Sequence, residues 1–233
     1  MTTAQCQLTK SQAGPQAPLF GALPYSGYTI KWASLPWEIA EAQALRRRVF
    51  CEEQGLFEDH DLDALDAISS DLKTGEQQAR TLVALGSLCG WHEQVVATVR
   101  IHQEAPGVWY GSRLAVDRDF RRQGQLGASL IKLAVSSAHA LACNCFLANV
   151  QLQNETLFKR LHWQRIGNNI VRDQEHALMQ ANLDYYPPFH TPYSGFMVRN
   201  RRVRSSSAEL APSLLSLQSR QFANTLRVGD QAP

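Results

Sequence analysis

The amino-acid sequence predicts an α+β fold, in which helices flank a mixed, mostly antiparallel β-sheet. Three runs at residues 81–88, 95–102 and 108–116 have the alternating pattern of strands and are joined by short turns, as in an antiparallel meander. After residue 116 the hydrophobic period becomes that of a helix, and strand-like and helical segments then alternate. The 233 residues are enough for one such domain with tails.

A strand and a helix are predicted ahead of the meander. Residues 29–34 (TIKWAS) alternate as a first strand would. Residues 35–55 then have the pattern of a helix, with Pro36 in its first turn and Gly55 at its end. The apolar residues at helical spacing are Ile39, Ala42, Leu45 and Val49. The acidic stretch at residues 57–72 is predicted to form a loop and a short helix.

Four further elements are predicted after the meander. A helix is expected at residues 124–142. Its apolar face is formed by Leu126, Leu130, Ala134, Ala138 and Leu141. A strand at residues 146–151, a short helix at 155–161 and a last strand at 176–183 complete the body.

The composition divides the chain into three parts. Residues 1–26 are rich in Gln, Gly, Pro and Ser, so we expect a disordered N-terminal segment. Residues 27–184 form the predicted folded domain. Residues 185–233 are a Pro-, Arg- and Ser-rich C-terminal tail, whose aromatic part either folds back over the body or stays mobile.

Charge and cysteine usage exclude several classes of protein. The formal net charge of +2 is uneven, because residues 185–233 carry +4 and the remainder carries −2. A nearly neutral body argues against nucleic-acid binding. No apolar run approaches the roughly 20 residues that span a membrane, and the N-terminus lacks the pattern of a secretory signal. The five scattered cysteines are typical of reduced thiols in the cytoplasm and predict no metal site.

The loop at residues 121–128 has the features of an anion-binding site. Arg121 and Arg122 precede a predicted helix start, where backbone N–H groups and the helix dipole attract a phosphate. Gly124 and Gly127 let the backbone approach the anion closely. The loop matches neither the P-loop nor the dinucleotide fingerprint. The alternative is a plain turn between a strand and a helix.

Four motifs in order resemble the GNAT superfamily of acyl-CoA-dependent N-acetyltransferases. VVATVRIH is similar to its third strand, and RLAVDRDFRRQGQLGASLI resembles its strand–loop–helix signature. FLANVQLQNETLFKRLHW and EHALMQANL resemble its later segments. RRRVFCEEQG followed by DLDALD is similar to a branch of the superfamily that includes the nitrogen-starvation N-acetyltransferases. The resemblance covers residues 27–184 and implies the acyl-CoA N-acyltransferase fold.

The resemblance also implies how coenzyme A is bound. The backbone of Leu114, Ala115 and Val116 would lie along the pantetheine arm, beside a splayed part of the sheet. An N–H group there would stabilise the oxyanion, while an amine attacks acetyl-CoA directly without a covalent enzyme intermediate. The pyrophosphate would be held by the loop residues Arg121, Arg122, Gln123, Gly124, Gln125, Leu126, Gly127 and Ala128.

The chain departs from the family pattern at two points. Either Leu126 or Gln125 takes the place of a small residue in the glycine loop, depending on which arginine opens the motif. Phe158 stands where the family commonly has a tyrosine that protonates the leaving thiolate, and phenylalanine cannot donate a proton. We still expect Phe158 at the cofactor. Asn154 and Gln151 are expected either to meet the pantetheine amides or to serve in packing and capping.

Two residues are candidates for catalysis. Glu53, at the end of the first helix, could bind an amine or relay its proton through water, or could be a solvated helix end. His102, at a strand terminus, could be a general base or a structural histidine. Arg100 and Arg113 are either surface arginines or partners of the acidic residues 59–66.

The expected partners are a coenzyme A thioester and a small-molecule amine, with a homodimer as a candidate assembly. Three other functions stay open at this point. RRRVF and the Asp-rich segment resemble acyl-homoserine lactone synthases, which would need a longer acyl pocket. Phe158 is compatible with a non-catalytic module that senses acyl-CoA. The arginines at residues 199–204 could bind nucleic acid, with strong salt dependence.

Overall fold

The computed structural model describes residues 25–70, 79–88, 91–121 and 125–200. Its strands form one eight-stranded sheet in the order β6-β7-β5-β4-β3-β2-β1-β8. The strands are β1 (Gly27–Trp32), β2 (Ala79–Leu88), β3 (Trp91–Ala105), β4 (Val108–Val116), β5 (Cys145–Gln151), β6 (Trp163–Val171), β7 (Gln174–Ala181) and β8 (Phe196–Arg199). Among these strands, β4 and β5 form the one parallel pair. The predicted mixed, mostly antiparallel sheet with its meander is thus confirmed.

Helices cover both faces of this sheet. They are α1 (Pro36–Arg47), α2 (Ala64–Ser70), α3 (Leu126–Ala140) and α4 (Glu155–Arg160). The single helix predicted at residues 35–55 is in fact two parts, because α1 continues as a π-helical stretch, Arg48–Glu53. Such wider turns are rare and occur often beside functional sites.

Two apolar clusters lie on opposite faces of the sheet. Leu82 and Ala84 belong to the cluster under α3, whereas Val83 and Leu85 belong to the cluster under α1. The alternation follows from the two-residue period of a strand. Both faces of the sheet are therefore buried under helices.

The structure contains two strands that the sequence did not predict. β6 lies at one edge of the sheet and exposes most of its side chains, so it lacks the alternation by which a strand is recognised. β8 is only four residues long and pairs with β1 at the other edge. It belongs to the segment beyond residue 184, where we expected a tail.

The aromatic segment that follows residue 184 packs on the body. The indole Nε1 of Trp163 donates a 3.0 Å hydrogen bond to the buried Tyr186 hydroxyl, and the backbone N–H of Phe189 donates to the carbonyl of Ser136 at 2.9 Å. Gly195 then turns the chain into β8 with a φ of +63°, and an added Cβ would lie 1.9 Å from a backbone oxygen of β1. Only glycine fits this turn.

Within the described part of the chain, none of the helices is both long and apolar enough to cross a membrane.

Candidate active site

The sheet opens between its two parallel strands. β4 and β5 pair from Val108 and Cys145 as far as Gly111 and Ala148. Both strands then continue, β4 to Val116 and β5 to Gln151, but the described backbone shows no ladder between these upper halves. The backbone groups that face this gap are therefore not used by a ladder between β4 and β5.

A β-bulge in β4 accompanies this opening. Thr98 of β3 pairs with Ala115, and Arg100 pairs with Ser112, so two residues of β4 stand opposite Val99. One of the two, Arg113, has a left-handed backbone with a φ of +56°. A bulge bends its strand and re-aims the local side chains.

A cavity of about 310 Å³ fills the gap and reaches both faces of the sheet. On the α1 face its lining includes Phe50, Leu56 and Phe57. On the α3 face it includes Ile131 and Val135. The cavity therefore passes through the sheet, which lets two molecules approach the same point from opposite sides.

The first turn of α3 lies beside the upper end of β4. An added Cβ on Gly127 would come 3.8 Å from the Cγ2 of Val116. No side chain in the described part of the chain caps this helix, and its first backbone bond runs from the N–H of Ser129 to Gln125 at 2.7 Å. The N–H groups of the three residues between them therefore point outward without helical acceptors. The predicted Arg122, Gln123 and Gly124 lie outside the described residues.

Comparison with known proteins agrees with this geometry. Residues 41–163, more than half of the chain, match the family model described as the acetyltransferase (GNAT) family. The chain belongs to the GNAT family. No curated protein matches the chain.

Solved structures share the GNAT fold with this chain. An acyl-CoA N-acyltransferase from Pseudomonas aeruginosa is 20% identical, with 66% of this chain and 99% of that one covered and a TM-score of 0.50. FeeM, an N-acyl amino acid synthase from uncultured soil microbes, is 13% identical over 68% and 93%, with a TM-score of 0.53. BjaI, a CoA-dependent acyl-homoserine lactone synthase, is 17% identical over 66% and 82%, with a TM-score of 0.50.

Several of the predicted residues line the cavity between β4 and β5. Leu114, Asn154, Phe158 and His102 all line it. The side chain of Asn154 does not cap α4. Ala115 is buried in the cluster under α1, on the other side of the same strand.

Three other predicted residues stand at the edge of the site. Val116 packs against the cluster under α3. Gln151 lines the cavity and donates a 3.2 Å hydrogen bond to Gln54 across its mouth. Leu126 is buried as the first residue of α3, so its backbone rather than its side chain is available to a ligand.

Glu53 does not lie in the cavity. Its Oε2 accepts from Nη2 of Arg121 at 2.6 Å, and the Nε of Arg121 donates to the carbonyl of Val116 at 3.0 Å. The π-helical turn carries Glu53 toward the start of α3 rather than toward the acceptor side. The expected contact of Glu53 with an amine in the cavity thus has no support in this geometry.

His102 lies in the wall of the cavity. Its ring lines the cavity, stacks on Tyr110 with centroids 5.8 Å apart, and has its Nε2 3.3 Å from Oε2 of Glu104. Its buried Nδ1 has no hydrogen-bond partner among the described residues. Burial, followed by the nearby charge of Arg100, lowers the pKa of His102, so the ring is neutral at pH 7 and can accept a proton.

Phe158 fills the usual position of the tyrosine with a buried apolar ring. It meets Trp163 edge to face, with centroids 5.0 Å apart. The side-chain hydroxyl groups among the described lining residues are those of Tyr110 and Ser112. Cys143 is no candidate nucleophile, because burial raises its pKa to about 11 and keeps the thiol protonated.

A buried network of ions that the sequence reasoning missed supports the bulge from the α1 side. Arg46 is 2% exposed and binds two carboxylates. Its Nε lies 2.7 Å from Oδ2 of Asp61, and its Nη1 lies 2.5 Å from Oδ1 of Asp66. The signal in the sequence was weak, because an arginine at the polar end of a helix is usually solvated.

The same aspartates bind the two arginines whose surroundings were left open. Arg100 lies 2.6 Å from Asp63 and 2.9 Å from Asp66. Arg113, in the bulge, lies 3.0 Å from Asp61 and 3.3 Å from Asp63. The acidic segment is therefore a clamp that ties α1, β3 and β4 together, and its carboxylates are already paired with arginines.

Phe57 and Arg172 form the rim of the cavity on the α1 face. The guanidinium of Arg172, in the turn between β6 and β7, stands 3.8 Å from the centroid of the Phe57 ring. Arg113 approaches the same ring at 4.8 Å. Sequence reasoning found neither Phe57 nor Arg172, because their contact joins segments more than 100 residues apart.

Proposed function

We propose that this protein transfers an acyl group from a coenzyme A thioester to the nitrogen of a small amine by direct attack in a ternary complex. The observation that carries the proposal is the cavity in the gap between β4 and β5, which runs beside the uncapped start of α3. Membership of the GNAT family supports an acyl-CoA donor. The subgroup of nitrogen-starvation N-acetyltransferases remains a prediction.

The donor would enter along the upper half of β4. The N–H groups of residues 126–128 and the guanidinium of Arg121 would bind the pyrophosphate, since both offer donors to phosphate oxygens at one place. Pantetheine would follow the backbone of Leu114, Ala115 and Val116, whose edge toward β5 has no ladder partner in the described structure. Asn154, which lines the cavity, would bind one of the pantetheine amides. Acetyl-CoA is the simplest donor of this kind.

The acceptor would enter from the face that carries His102 and Tyr110. In this mechanism His102 takes a proton from the ammonium form of the acceptor, and the freed nitrogen attacks the thioester carbonyl. A backbone N–H at the β4 bulge stabilises the oxyanion. The carbon–sulfur bond then breaks, the nitrogen gives its second proton to solvent water, and the thiolate takes up a proton from Tyr110 or from water, since Phe158 has none to give.

Calorimetry with coenzyme A, followed by a panel of amines with acyl-CoA and detection of free thiol, tests this function. We expect binding of coenzyme A and turnover with at least one amine. The variant His102→Gln should retain coenzyme A binding within about twofold and lose at least about 100-fold in kcat/KM, as general-base contributions do. The matched control variant is Gln103→Ala, which changes the next residue of β3. Failure of coenzyme A to bind would overturn the proposal.

A second function is favoured by one observation. Arg46, in the segment that resembles acyl-homoserine lactone synthases, forms buried ion pairs with Asp61 and Asp66, and BjaI and FeeM share the fold. The acceptor panel should therefore include S-adenosylmethionine and free amino acids. Turnover with either of these alone would favour this second function. Binding of coenzyme A without turnover would favour the sensing module.

The three described cysteines are free thiols, which supports a cytoplasmic location as part of the same proposal.

A further inference from the structure

We propose that the amine acceptor of this protein also carries an anionic group, a carboxylate, sulfonate or phosphate, and that Arg172 binds this group. The inference rests on the proposed function, because it names the chemical class of the acceptor at the same site. Arg172 would therefore be a specificity residue, which selects the acceptor and takes no part in the bond that is formed. Two kinds of observation carry the inference: the charges in the wall of the cavity and the contacts of Arg172.

The half of the cavity that faces α1 has a polar wall. Ile101 of β3 belongs to the cluster under α3, so the next residue, His102, faces α1. Tyr110 of β4 pairs with His102 and shares that face. Asn149 of β5 and His176 of β7 also line the cavity, and each has a sequence neighbour in the cluster under α3. Hydrogen-bonding groups therefore surround the place where the acceptor is expected to bind.

The formal charges in the wall of the cavity are positive. Arg113 and Arg172 are among the described lining residues, whereas no aspartate or glutamate is. Glu104 lies 3.3 Å from His102, but its side chain is 64% exposed and is not part of the wall. An acceptor whose only charge is an ammonium group would therefore meet no opposite charge in the wall. An anionic group on the acceptor would meet guanidinium groups.

The acidic clamp leaves no net charge of either sign for an acceptor. Its ion pairs join three arginines and three aspartates, namely Arg46, Arg100 and Arg113 with Asp61, Asp63 and Asp66. The formal charges of these six side chains cancel. Arg172 differs from the arginines of the clamp, because it forms no ion pair with a carboxylate of the described chain. Its guanidinium is therefore the better candidate for binding an anion.

Phe57 holds the guanidinium of Arg172 at the rim. The guanidinium carbon stands 3.8 Å from the centroid of the Phe57 ring. A guanidinium over an aromatic ring uses its face, so the N–H groups at its edge stay available to an anion. Arg172 and Asp173 have left-handed φ angles of 50° and 58°, as in a two-residue type I′ hairpin turn. This tight turn between β6 and β7 fixes the point from which the Arg172 side chain reaches over Phe57.

Acidic residues lie on the outer side of the same rim. Glu58, Asp59 and Asp173 line a hollow that also includes Arg172, but none of the three lines the cavity. All three are exposed to solvent, which screens their charges. An anionic acceptor would therefore reach Arg172 from the cavity, where no described lining carboxylate competes for the guanidinium.

Initial rates with matched acceptors test the inference, with acyl-CoA at saturation and detection of free thiol. The pairs are β-alanine with ethylamine, tyrosine with tyramine, and both taurine and O-phosphoethanolamine with ethanolamine. We expect kcat/KM to be at least about tenfold higher for the anionic member of at least one pair, as a charge-assisted hydrogen bond contributes. The pair that shows the preference identifies the anion as carboxylate, sulfonate or phosphate.

The outcomes of this assay separate the inference from the proposed function. Turnover of the neutral amines without a preference for any anionic partner would overturn the inference and leave the proposed function standing. Failure of coenzyme A to bind, or no turnover with any acceptor, would overturn both.

Variants of Arg172 assign the preference to this side chain and cancel the intrinsic difference in amine reactivity within each pair. Arg172→Gln changes an exposed turn residue, so the chain should fold as the parent does. The preference for the anionic member should fall at least about tenfold, while affinity for coenzyme A stays within about twofold. Arg172→Lys keeps the charge without the forked donors and should keep part of the preference.

The matched control is Arg160→Gln, which removes an exposed arginine of α4 outside the wall of the cavity and should leave the preference unchanged. A preference that survives unchanged in folded Arg172→Gln would refute the role of Arg172. A loss of coenzyme A affinity of about tenfold in that variant would also refute it, because Arg172 would then bind the donor.

Discussion

The Nε of Arg113 lies 3.0 Å from Oδ2 of Asp61, so the left-handed residue of the β4 bulge is held by the acidic segment that follows α1. Asp61 is 1% exposed, and its other partner is Arg46. The bulge opens the gap in the sheet, and the acidic clamp fixes the bulge. The backbone conformation at the bulge, where the proposed oxyanion would be stabilised, therefore depends on these ion pairs.

Two substitutions of Arg113 separate the effect of backbone strain on stability from the effect of the lost charge. Arg113→Ala and Arg113→Gly both remove the ion pairs, but only glycine adopts a φ of +56° without strain. We expect the alanine variant to have a free energy of unfolding about 1–2 kcal/mol below that of the glycine variant. Urea denaturation measures the difference. Equal stability of the two variants would mean that the bulge relaxes when the arginine is removed.

Removing Arg46 leaves two buried carboxylates without their main cation. Arg46→Ala should lower the free energy of unfolding by about 3–5 kcal/mol, because uncompensated buried charge is costly. The control is the neighbouring Arg47, whose side chain is 63% exposed and whose contact with Glu52 is 4.0 Å long. Arg47→Ala should change stability by less than about 0.5 kcal/mol. Thermal and urea unfolding measure the stability of the two variants. Similar losses of stability in both would contradict the structural role of the Arg46 ion pairs.

The clamp also predicts how stability depends on pH. Burial raises the pKa of Asp66, but hydrogen bonds from Arg46 outweigh it and lower that pKa to about 2 from an ordinary 3.8. The unfolded chain thus binds this proton more readily, so stability is present above pH 3.8 and is lost as pH falls toward 2. The free energy of unfolding that is lost over this pH range is roughly 2 kcal/mol.

Urea unfolding between pH 5 and pH 2.5 measures this loss. Asp66→Asn should be less stable at neutral pH and should show a shallower fall in acid than the parent chain. An acid limb of unchanged steepness in the variant would show that other carboxylates govern acid unfolding.

A negative charge added to the start of α3 should weaken the binding of coenzyme A. Gly127→Glu would place a carboxylate at the N–H groups that are proposed to bind the pyrophosphate, whereas Gly127→Gln adds the same bulk without charge. We expect coenzyme A to bind at least about tenfold more weakly to the glutamate variant than to the glutamine variant. Calorimetry at low and high salt measures this, and equal affinities would argue that the pyrophosphate lies elsewhere.

Local patterns predicted most of the elements but not the features that make the site. α3 and the meander have strong periodicity, and their limits differ from the prediction by a few residues. The bulge was hidden because a left-handed position usually carries glycine, whereas Arg113 is held there by distant aspartates. The pairing of Glu53 with Arg121 joins residues 68 positions apart, so no local pattern indicated it.

Tertiary pairing explains the remaining misses. Arg46 looked like an ordinary helix-end arginine until the loop folded over it. The wall of the cavity joins Phe146 and Trp163 with α3, and no local window of sequence contains all three. Predicting such a site requires the register between β4 and β5, which side-chain patterns alone do not specify.

The pairing of β8 with β1 has a consequence for biosynthesis. β1 is made near the beginning of the chain, but in the described part of the chain its outer hydrogen-bonding edge pairs with residues 196–199. A nascent chain, or a fragment cut at residue 184, would leave that edge open to strands of other molecules. Completion of the C-terminal segment therefore acts as an internal safeguard against aggregation.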